Sequence, residues 1–134
     1  MSGLVVYLDS SALVKLILQE REARALAIEL RRWPERVTNV LARIEVARAV
    51  RRVGDTLPLR RKVERVLDSL ALLELDDVVV ATACQLNPVV LRSLDAIHLA
   101  SALSLGPKLG AFIVYDKRLA EAAHQAGLPV LAPA

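Results

Sequence analysis

Two continuous apolar segments, one near each end of the chain, run directly into an aspartate. Residues 4–8 are followed by Asp9, and residues 111–115 are followed by Asp116. An apolar run of this length, followed by a helical pattern, predicts a strand that is buried on both faces of a parallel sheet. The C-terminal ends of parallel strands share one edge, where open α/β sheets bind ligands, so the fold could bring the two carboxylates together. The pattern therefore suggests a metal site and hydrolytic chemistry.

Strand-like and helix-like segments alternate along the rest of the chain, which predicts an α/β fold with a mostly parallel sheet. The predicted strands are 4–8, 36–39, 72–75, 111–115 and 130–131. The predicted helices are 11–18, 22–32, 40–52, 57–70, 77–87, 94–105 and 117–126. The predicted N-cap residues are Ser10 or Ser11, Thr56, Asp76 or Asp77, and Ser93, because their side-chain oxygens can accept from free backbone N–H groups.

Length and composition indicate one domain. The chain has 134 residues, 54% of them hydrophobic, and a mean hydropathy of +0.41. No apolar run approaches the ~18 residues that cross a membrane, and residues 1–3 lack the basic start of a signal peptide. Cys84 is the only cysteine, so no internal disulfide can form. We expect a buried, inert thiol and a cytoplasmic protein without a membrane partner.

The charge pattern permits binding to a polyanion. The net charge is +3, and residues 43–65 hold eight basic side chains against three acidic ones. Arginines outnumber lysines 14 to 4, and the planar guanidinium suits phosphate. Aromatic residues are only 3% of the chain, which argues against a platform that stacks the bases of single strands.

Two further acids stand in unusual places. Asp95 lies in the first turn of a helix that is apolar on nearly every side, so we expect it to be buried and to need a partner or a cation. Glu45 lies between Ile44 and Val46 in the helix 40–52. Simpler explanations remain open for each acid: Asp95 can interact with the helix dipole, Glu45 can pair with Arg48, and Asp9 can be an N-cap.

Four carboxylates gathered at one sheet edge would repel one another strongly in a low-dielectric pocket, so a positive ion would have to neutralise them. Ligand sets made only of oxygens favour hard cations, which indicates Mg²⁺ or Mn²⁺ rather than Zn²⁺. Two such ions about 3.5–4 Å apart can activate a water and stabilise the leaving oxygen of a phosphodiester. We therefore expect one or two ions.

Four segments of the chain, in order, resemble the motifs of PIN-domain ribonucleases of the VapC toxin type. They begin at the first acidic strand end and finish after the last. The segments are Tyr7-Leu8-Asp9-Ser10-Ser11-Ala12-Leu13-Val14-Lys15-Leu16, Ile44-Glu45-Val46-Ala47-Arg48-Ala49, Leu94-Asp95-Ala96-Ile97-His98-Leu99-Ala100-Ser101-Ala102, and Tyr115-Asp116-Lys117-Arg118-Leu119-Ala120-Glu121-Ala122-Ala123. The third motif is the most distinctive, and the ordered set spans essentially the whole chain.

This resemblance implies a single PIN-like domain over residues 1–134, with a three-layer α/β/α fold and a central parallel sheet of four or five strands. It implies that Asp9, Glu45, Asp95 and Asp116 form a metal-binding, catalytic pocket. The implied activity is Mg²⁺- or Mn²⁺-dependent cleavage of RNA that leaves a 5′-phosphate and a 3′-hydroxyl. The implied partners are a second copy of the chain and a VapB-type antitoxin, through which alone the protein reaches DNA.

Several side chains are candidates for supporting roles or RNA contact. They are Ser10, Ser11, Arg48, Arg52, His98 and Lys117. We predict that Arg48 or Arg52 contacts RNA, because a negative pocket needs a positive rim to attract a polyanion. We expect His98 to be a core histidine that orients Asp95 rather than a general base. Val114 stands where many relatives carry Thr or Ser, which departs from the family pattern.

Other functions fit the sequence less well. A haloacid-dehalogenase-type phosphatase needs a second Asp two residues after the first, and position 11 is Ser. A phospho-acceptor receiver domain needs an acidic pair near its start and an acceptor Asp after a middle strand, and the acids of this chain do not fit that arrangement. A catalytically silent PIN domain, acting as an RNA-binding or assembly module, stays open because of Val114, although all four acids are present.

Overall fold

The computed structural model describes residues 3–134, and Met1 and Ser2, on which part of the signal-peptide argument rests, lie outside this range. Five parallel strands form one sheet in the order β3-β2-β1-β4-β5. The strands are β1 (Val5–Leu8), β2 (Glu35–Asn39), β3 (Ala71–Leu73), β4 (Leu109–Ile113) and β5 (Val130–Leu131). The predicted α/β class and parallel sheet are confirmed.

Helices connect the strands and cover both faces of the sheet. They are α1 (Ser10–Leu18), α2 (Ala23–Leu30), α3 (Ala42–Val53), α4 (Leu57–Asp68), α5 (Asp77–Gln85), α6 (Ser93–Ser104) and α7 (Lys117–Gln125). A short 3₁₀ turn, Gly106–Lys108, leads into β4. None of the helices in residues 3–134 is long and apolar enough to span a membrane.

Two apolar clusters lie on opposite faces of the sheet, because successive strand side chains point to opposite sides. Val6 and Leu8 of β1 pack in the cluster that includes α1 to α4, whereas Val5 and Tyr7 pack with α6 and α7. The sheet is thus the middle layer of a three-layer α/β/α fold, as the resemblance implied.

Three expectations about local structure are wrong. Asp9, rather than Ser10 or Ser11, caps α1, because its carboxylate reaches the backbone N–H of Ala12. Ser93 does not cap α6 but is its first residue, and the cap position is held by Arg92 without a side-chain bond. Cys84 is exposed rather than buried, since α5 lies at the surface with only Val79 fully covered.

The predicted caps at Thr56 and Asp76 are confirmed. Thr56 Oγ1 accepts from the backbone N–H of Leu59 at 3.3 Å, and Asp76 Oδ1 accepts from that of Val79 at 2.8 Å.

Candidate active site

Two of the predicted acids lie at the same edge of the sheet. Asp9 directly follows β1, Asp116 follows shortly after β4, and these strands are hydrogen-bonded neighbours. Each carboxylate also caps the next helix: Asp9 Oδ1 accepts from Ala12 N–H and Asp116 Oδ1 from Leu119 N–H, both at 3.0 Å. The N-terminal ends of α1 and α7 thus both point positive dipoles at this edge.

Asp9 is held rigidly in a nearly closed environment. Its side chain is 3% exposed, and the Ser11 hydroxyl lies 2.8 and 2.9 Å from its two carboxylate oxygens. Burial raises the pKa of Asp9 from 3.8 to about 6, and the charge of Asp95 adds to this, although Ala12 N–H, His98 and Ser11 act in the opposite direction. The folded chain therefore holds this carboxylate at a free-energy cost when it is ionised.

Glu45 extends from the first turn of α3 to the same edge. Its Oε1 accepts from the Ser10 hydroxyl at 2.7 Å and lies 2.8 Å from His98 Nε2. Burial would raise the pKa of Glu45, but the hydrogen bond and charge of His98, together with Ser10, outweigh burial and lower it. Ser10 and His98 therefore hold the Glu45 carboxylate in place. The ion pair with Arg48, which the sequence left open, does not.

Asp95 and Asp116 lie on the more open side of the group. Asp95 is half-buried rather than buried as predicted, because it stands at the exposed start of α6, and Asp116 is exposed. Burial raises the pKa of Asp95, and the charges of Asp116 and Glu45 raise it further. Asp95 also raises the pKa of Asp9, so the four acids act on one another electrostatically.

The donor chemistry of this group fits a hard cation. The four acids offer only oxygen ligands. Burial, and to a lesser extent the charges of neighbouring acids, raise the pKa values of Asp9 and Asp95, and a cation would relieve both effects. Within residues 3–134, however, no three Asp, Glu, His or Cys side chains are already arranged as a ligand set. Tight ligation of one ion would thus require side-chain adjustment.

A basic groove borders the acids. This groove, of about 560 Å³, is lined by Ser10, Ser11, Lys15, Glu45, Arg48 and Arg52, among others. Arg48 and Arg52 are exposed, and so is Lys117, which begins α7 next to Asp116. Lys15 is instead paired with Glu20 and Glu22 at 3.3 and 3.0 Å, which limits its availability to phosphate. The structure therefore brings the predicted basic candidates Arg48, Arg52 and Lys117 to the surroundings of the acids.

The contacts of His98 differ from the expectation that it orients Asp95. Its Nε2 lies 2.8 Å from Glu45 Oε1 and 3.0 Å from Ser10 Oγ, and its Nδ1 lies 2.7 Å from the Tyr7 hydroxyl. The expected core position is confirmed, since His98 is 2% exposed. The expected partner was wrong because side chains at i and i+3 share only an approximate helix face. Here the imidazole points inward and Asp95 stays toward solvent.

Sequence reasoning also missed three buried polar residues behind the acids. Tyr7, Asn39 and Ser101 each occupy a position that the hydrophobic pattern reserves for the core, and all three are 0% exposed. A polar side chain at such a position needs a hydrogen-bond partner, and that requirement is the signal that could have identified them. Val114 is also fully buried, in the apolar cluster that contains Tyr7, and brings no oxygen to the site.

Comparison with known proteins identifies relatives along the whole chain. Residues 6–125 match the family model described as PIN domain. Ribonuclease VapC46 of Mycobacterium tuberculosis is 46% identical over 128 residues, which cover 96% of this chain and 97% of the relative. Ribonuclease VapC35 of the same species is 44% identical over 138 residues and Ribonuclease VapC47 is 36% identical over 137, with the same coverage.

Two solved structures share the fold. The structure of VapBC2 from Rickettsia felis, bound to a DNA fragment from their promoter, contains a chain that matches with a TM-score of 0.77 at 9% identity, over 97% of this chain and 99% of that one. PAE2754 from Pyrobaculum aerophilum matches with a TM-score of 0.62 at 20% identity, over 96% of this chain and 83% of that one. At these identities the matches support the three-layer architecture.

Proposed function

Because the chain belongs to the PIN domain family, we propose that it is a divalent-metal-dependent endoribonuclease and the toxin of a type II toxin–antitoxin pair. The relatives that support this proposal are named ribonucleases, and they are 36% to 46% identical over nearly the full length of both chains. RNA as substrate would place the activity in the cytoplasm.

The observation that carries the proposal is the electrostatic coupling of four acids from distant parts of the chain. Asp9, Glu45, Asp95 and Asp116 would hold one or two Mg²⁺ or Mn²⁺ ions through their carboxylate oxygens. A bound ion would lower the pKa of a water and stabilise the charge that develops on the phosphodiester. Burial raises the pKa of Asp9 to about 6, so its ionised form is unfavourable without a nearby cation. This supports the proposal that a cation binds there.

The chain's own side chains supply orientation and attraction. The Ser11 hydroxyl lies within hydrogen-bond distance of both carboxylate oxygens of Asp9. The Ser10 hydroxyl and His98 Nε2 both contact Oε1 of Glu45. Exposed Arg48 and Arg52 lie in the groove beside Glu45. Their charges would draw the RNA backbone toward an otherwise negative pocket.

We also propose that a VapB-type antitoxin holds the enzyme inactive and alone contacts DNA. The Rickettsia felis structure, of VapBC2 with promoter DNA, supports this pairing. A groove of about 870 Å³ between α3 and α4 could receive an apolar segment: Ile44, Val50 and Leu59 are part of its lining, with Arg48 and Arg60 beside them.

A homodimer is the second proposed assembly. Val89 and Val90, in the loop between α5 and α6, are 88% and 83% exposed, and Val80 of α5, which is 43% exposed, lines one groove with Val89. Exposed apolar side chains concentrated in one region are typical of protein interfaces.

The second candidate function is a catalytically silent PIN domain that binds RNA or assembles with partners. Val114 favours it, because a buried apolar side chain stands where many relatives carry a hydroxyl. Single-turnover cleavage of RNA by the purified chain distinguishes the two functions. With Mg²⁺ or Mn²⁺ we expect cleavage that EDTA abolishes and that Asp9→Asn reduces at least 100-fold, since one metal ligand is lost. RNA binding without cleavage, and without metal binding by the acids, would establish the silent module instead.

A further inference from the structure

A chain of buried polar side chains runs behind the proposed metal site, from the end of β2 to Glu45. Asn39 Nδ2 donates to Ser101 Oγ at 2.8 Å. Burial raises the pKa of Tyr7, and the nearby Ser101 hydroxyl acts in the opposite direction. The Tyr7 hydroxyl lies 2.7 Å from His98 Nδ1, and His98 Nε2 lies 2.8 Å from Glu45 Oε1. Apart from Glu45, the members are at most 2% exposed, so water does not compete for these bonds.

The direction of the hydrogen bonds is fixed at the Asn39 end. Asn39 Oδ1 accepts from the backbone N–H of Leu41 at 2.9 Å. A backbone N–H can only donate, so this contact defines which amide atom is oxygen and makes Nδ2 the donor to Ser101. Ser101 Oγ therefore accepts from Asn39 and keeps its own hydrogen for another acceptor.

The direction is also fixed at the Glu45 end. An ionised carboxylate can only accept, so the contact of 2.8 Å with Glu45 Oε1 places a hydrogen on His98 Nε2. The Tyr7 hydroxyl lies 2.7 Å from Nδ1 and can either donate to this nitrogen or accept from it. The imidazole is thus held at both of its nitrogens.

We propose that Tyr7 and His98 form a positioning pair for Glu45, in which the hydrogen bond between the Tyr7 hydroxyl and His98 Nδ1 fixes the imidazole with its Nε2–H facing the carboxylate. This proposal rests on the proposed function, because it assigns Glu45 as a metal ligand. Neither Tyr7 nor His98 touches substrate or metal in this account. They act through Glu45, whose orientation they set.

The surroundings of the pair leave it little freedom. The Tyr7 ring packs against Phe112 with centroids 5.4 Å apart, and its edge meets the His98 ring at 5.8 Å. Tyr7 is a member of the apolar cluster between the sheet and α6, and His98 is a buried residue of α6. Partners of this kind, which orient a ligand from behind, typically change metal affinity by about 10- to 100-fold when they are removed.

The test combines the protection of the His98 Nε2–H with the affinity for Mn²⁺. Tyr7→Phe removes only the hydroxyl and keeps the ring in the core. ¹H–¹⁵N NMR on the metal-free chain measures how fast this hydrogen exchanges with water, and exposed His124 serves as an internal reference. Tyr115→Phe is the matched control, because the Tyr115 hydroxyl donates to the Pro133 carbonyl instead.

We expect wild type and Tyr115→Phe to show a slowly exchanging Nε2–H on His98, and Tyr7→Phe to show one that exchanges faster. Calorimetric titration should show Mn²⁺ binding weakened about 10- to 100-fold by Tyr7→Phe and unchanged by Tyr115→Phe. An unchanged exchange rate, or unchanged Mn²⁺ affinity, in a folded Tyr7→Phe variant overturns the proposal.

A second pair of variants decides the question should Tyr7→Phe not fold. His98→Gln retains an N–H that can donate to Glu45, whereas His98→Leu fills similar space without a donor. We expect Gln to bind Mn²⁺ at least 10-fold more tightly than Leu; equal affinities would mean that His98 only fills the core. If wild type binds no Mn²⁺, the metal site of the proposed function fails, and the exchange of the Nε2–H in the metal-free chain alone then decides whether Tyr7 positions His98.

Discussion

Asp9 combines two roles with opposite energetic demands. Its carboxylate caps α1 through the backbone N–H of Ala12, which stabilises the helix. The same carboxylate is 3% exposed, and burial raises its pKa from 3.8 to about 6. A residue selected only for capping would not need to be buried in this way. The free-energy cost of ionising buried Asp9 is therefore consistent with a metal ligand, whose charge a cation would stabilise.

The pKa of Asp9 gives a testable pH dependence of stability. A folded-state pKa above the unfolded one favours the protonated folded form, so this contribution destabilises the chain above pH 6 and disappears as the pH falls from about 6 to about 4. A shift of roughly two units corresponds to about 3 kcal/mol. Asp9→Asn keeps an oxygen for Ala12 and removes the charge. We expect it to raise the free energy of unfolding of the metal-free chain at pH 7.5 by about 1–3 kcal/mol.

Urea unfolding with EDTA at pH 7.5 and pH 5 measures this effect. The difference between Asp9→Asn and wild type should shrink at the lower pH. Asp116→Asn is the matched control, because Asp116 caps α7 through the same kind of bond but is exposed. If both variants gained the same free energy of unfolding, or if Asp9→Asn lost stability at pH 7.5, the free-energy cost assigned to ionised Asp9 would be contradicted.

At the scale of single residues, the sequence predicted the positions of the acids better than the side chains that hold the acids in place. Asp9 and Asp116 follow apolar strands, so their place at one sheet edge could be deduced from pattern alone. Tyr7 and Ser101 could not be linked to Glu45, because side-chain direction inside a helix or strand depends on how the layers pack. The orientation of His98 toward Glu45 was missed for the same reason.

The helix α3 places an acid and two arginines on one side. Glu45, Arg48 and Arg52 are separated by three and four residues, so they share a helix face, and all three line the groove of about 560 Å³. The basic excess of residues 43–65 is therefore not only a solvated helix surface. Part of it is aligned with the site, as expected for a positive rim.

Replacing both arginines should weaken RNA binding in a salt-dependent manner. We expect Arg48→Ala with Arg52→Ala to lower affinity at low salt and to reduce the slope of log affinity against log salt concentration by about 0.7 for each lost phosphate contact on single-stranded RNA. Fluorescence anisotropy over a series of salt concentrations, with Asp9→Asn as the background to prevent cleavage, measures both quantities.

The matched control is the pair Arg31→Ala with Arg32→Ala. Both residues are exposed and precede β2, at the sheet edge opposite the acids. The same loss of formal charge there should leave the salt slope nearly unchanged. If the two double variants behave alike, α3 contributes only to net charge, and the rim assignment is wrong.

Element boundaries were predicted within a few residues, and the errors have local causes. β4 begins at Leu109 rather than 111, although Gly110 weakens any strand prediction. A glycine is required there because the Trp33 ring and the Gly3 carbonyl leave no space for a Cβ. β3 covers only three residues, as is common for edge strands, and so the predicted 72–75 was too long and shifted.

The whole molecule shows how distant segments of the chain meet. β1 lies between β2 and β4 in the sheet, so Asp9 is central and the segments after β2 and β4 flank it. α6 crosses the face that carries Tyr7 and brings Asp95 and His98 to the same edge. The sequence predicted a parallel sheet and a shared edge, but not this strand order, because pairing between strands depends on contacts far apart in the chain.

The account as a whole depends on a divalent ion at this edge, and anomalous diffraction from crystals grown with Mn²⁺ tests it most directly. The account predicts a Mn²⁺ peak within about 2.0–2.4 Å of carboxylate oxygens from Asp9 and at least one of Asp95, Asp116 and Glu45. It also predicts that Asp9→Asn removes the peak. A peak held by other residues, or no peak at these acids at saturating Mn²⁺, would contradict the account.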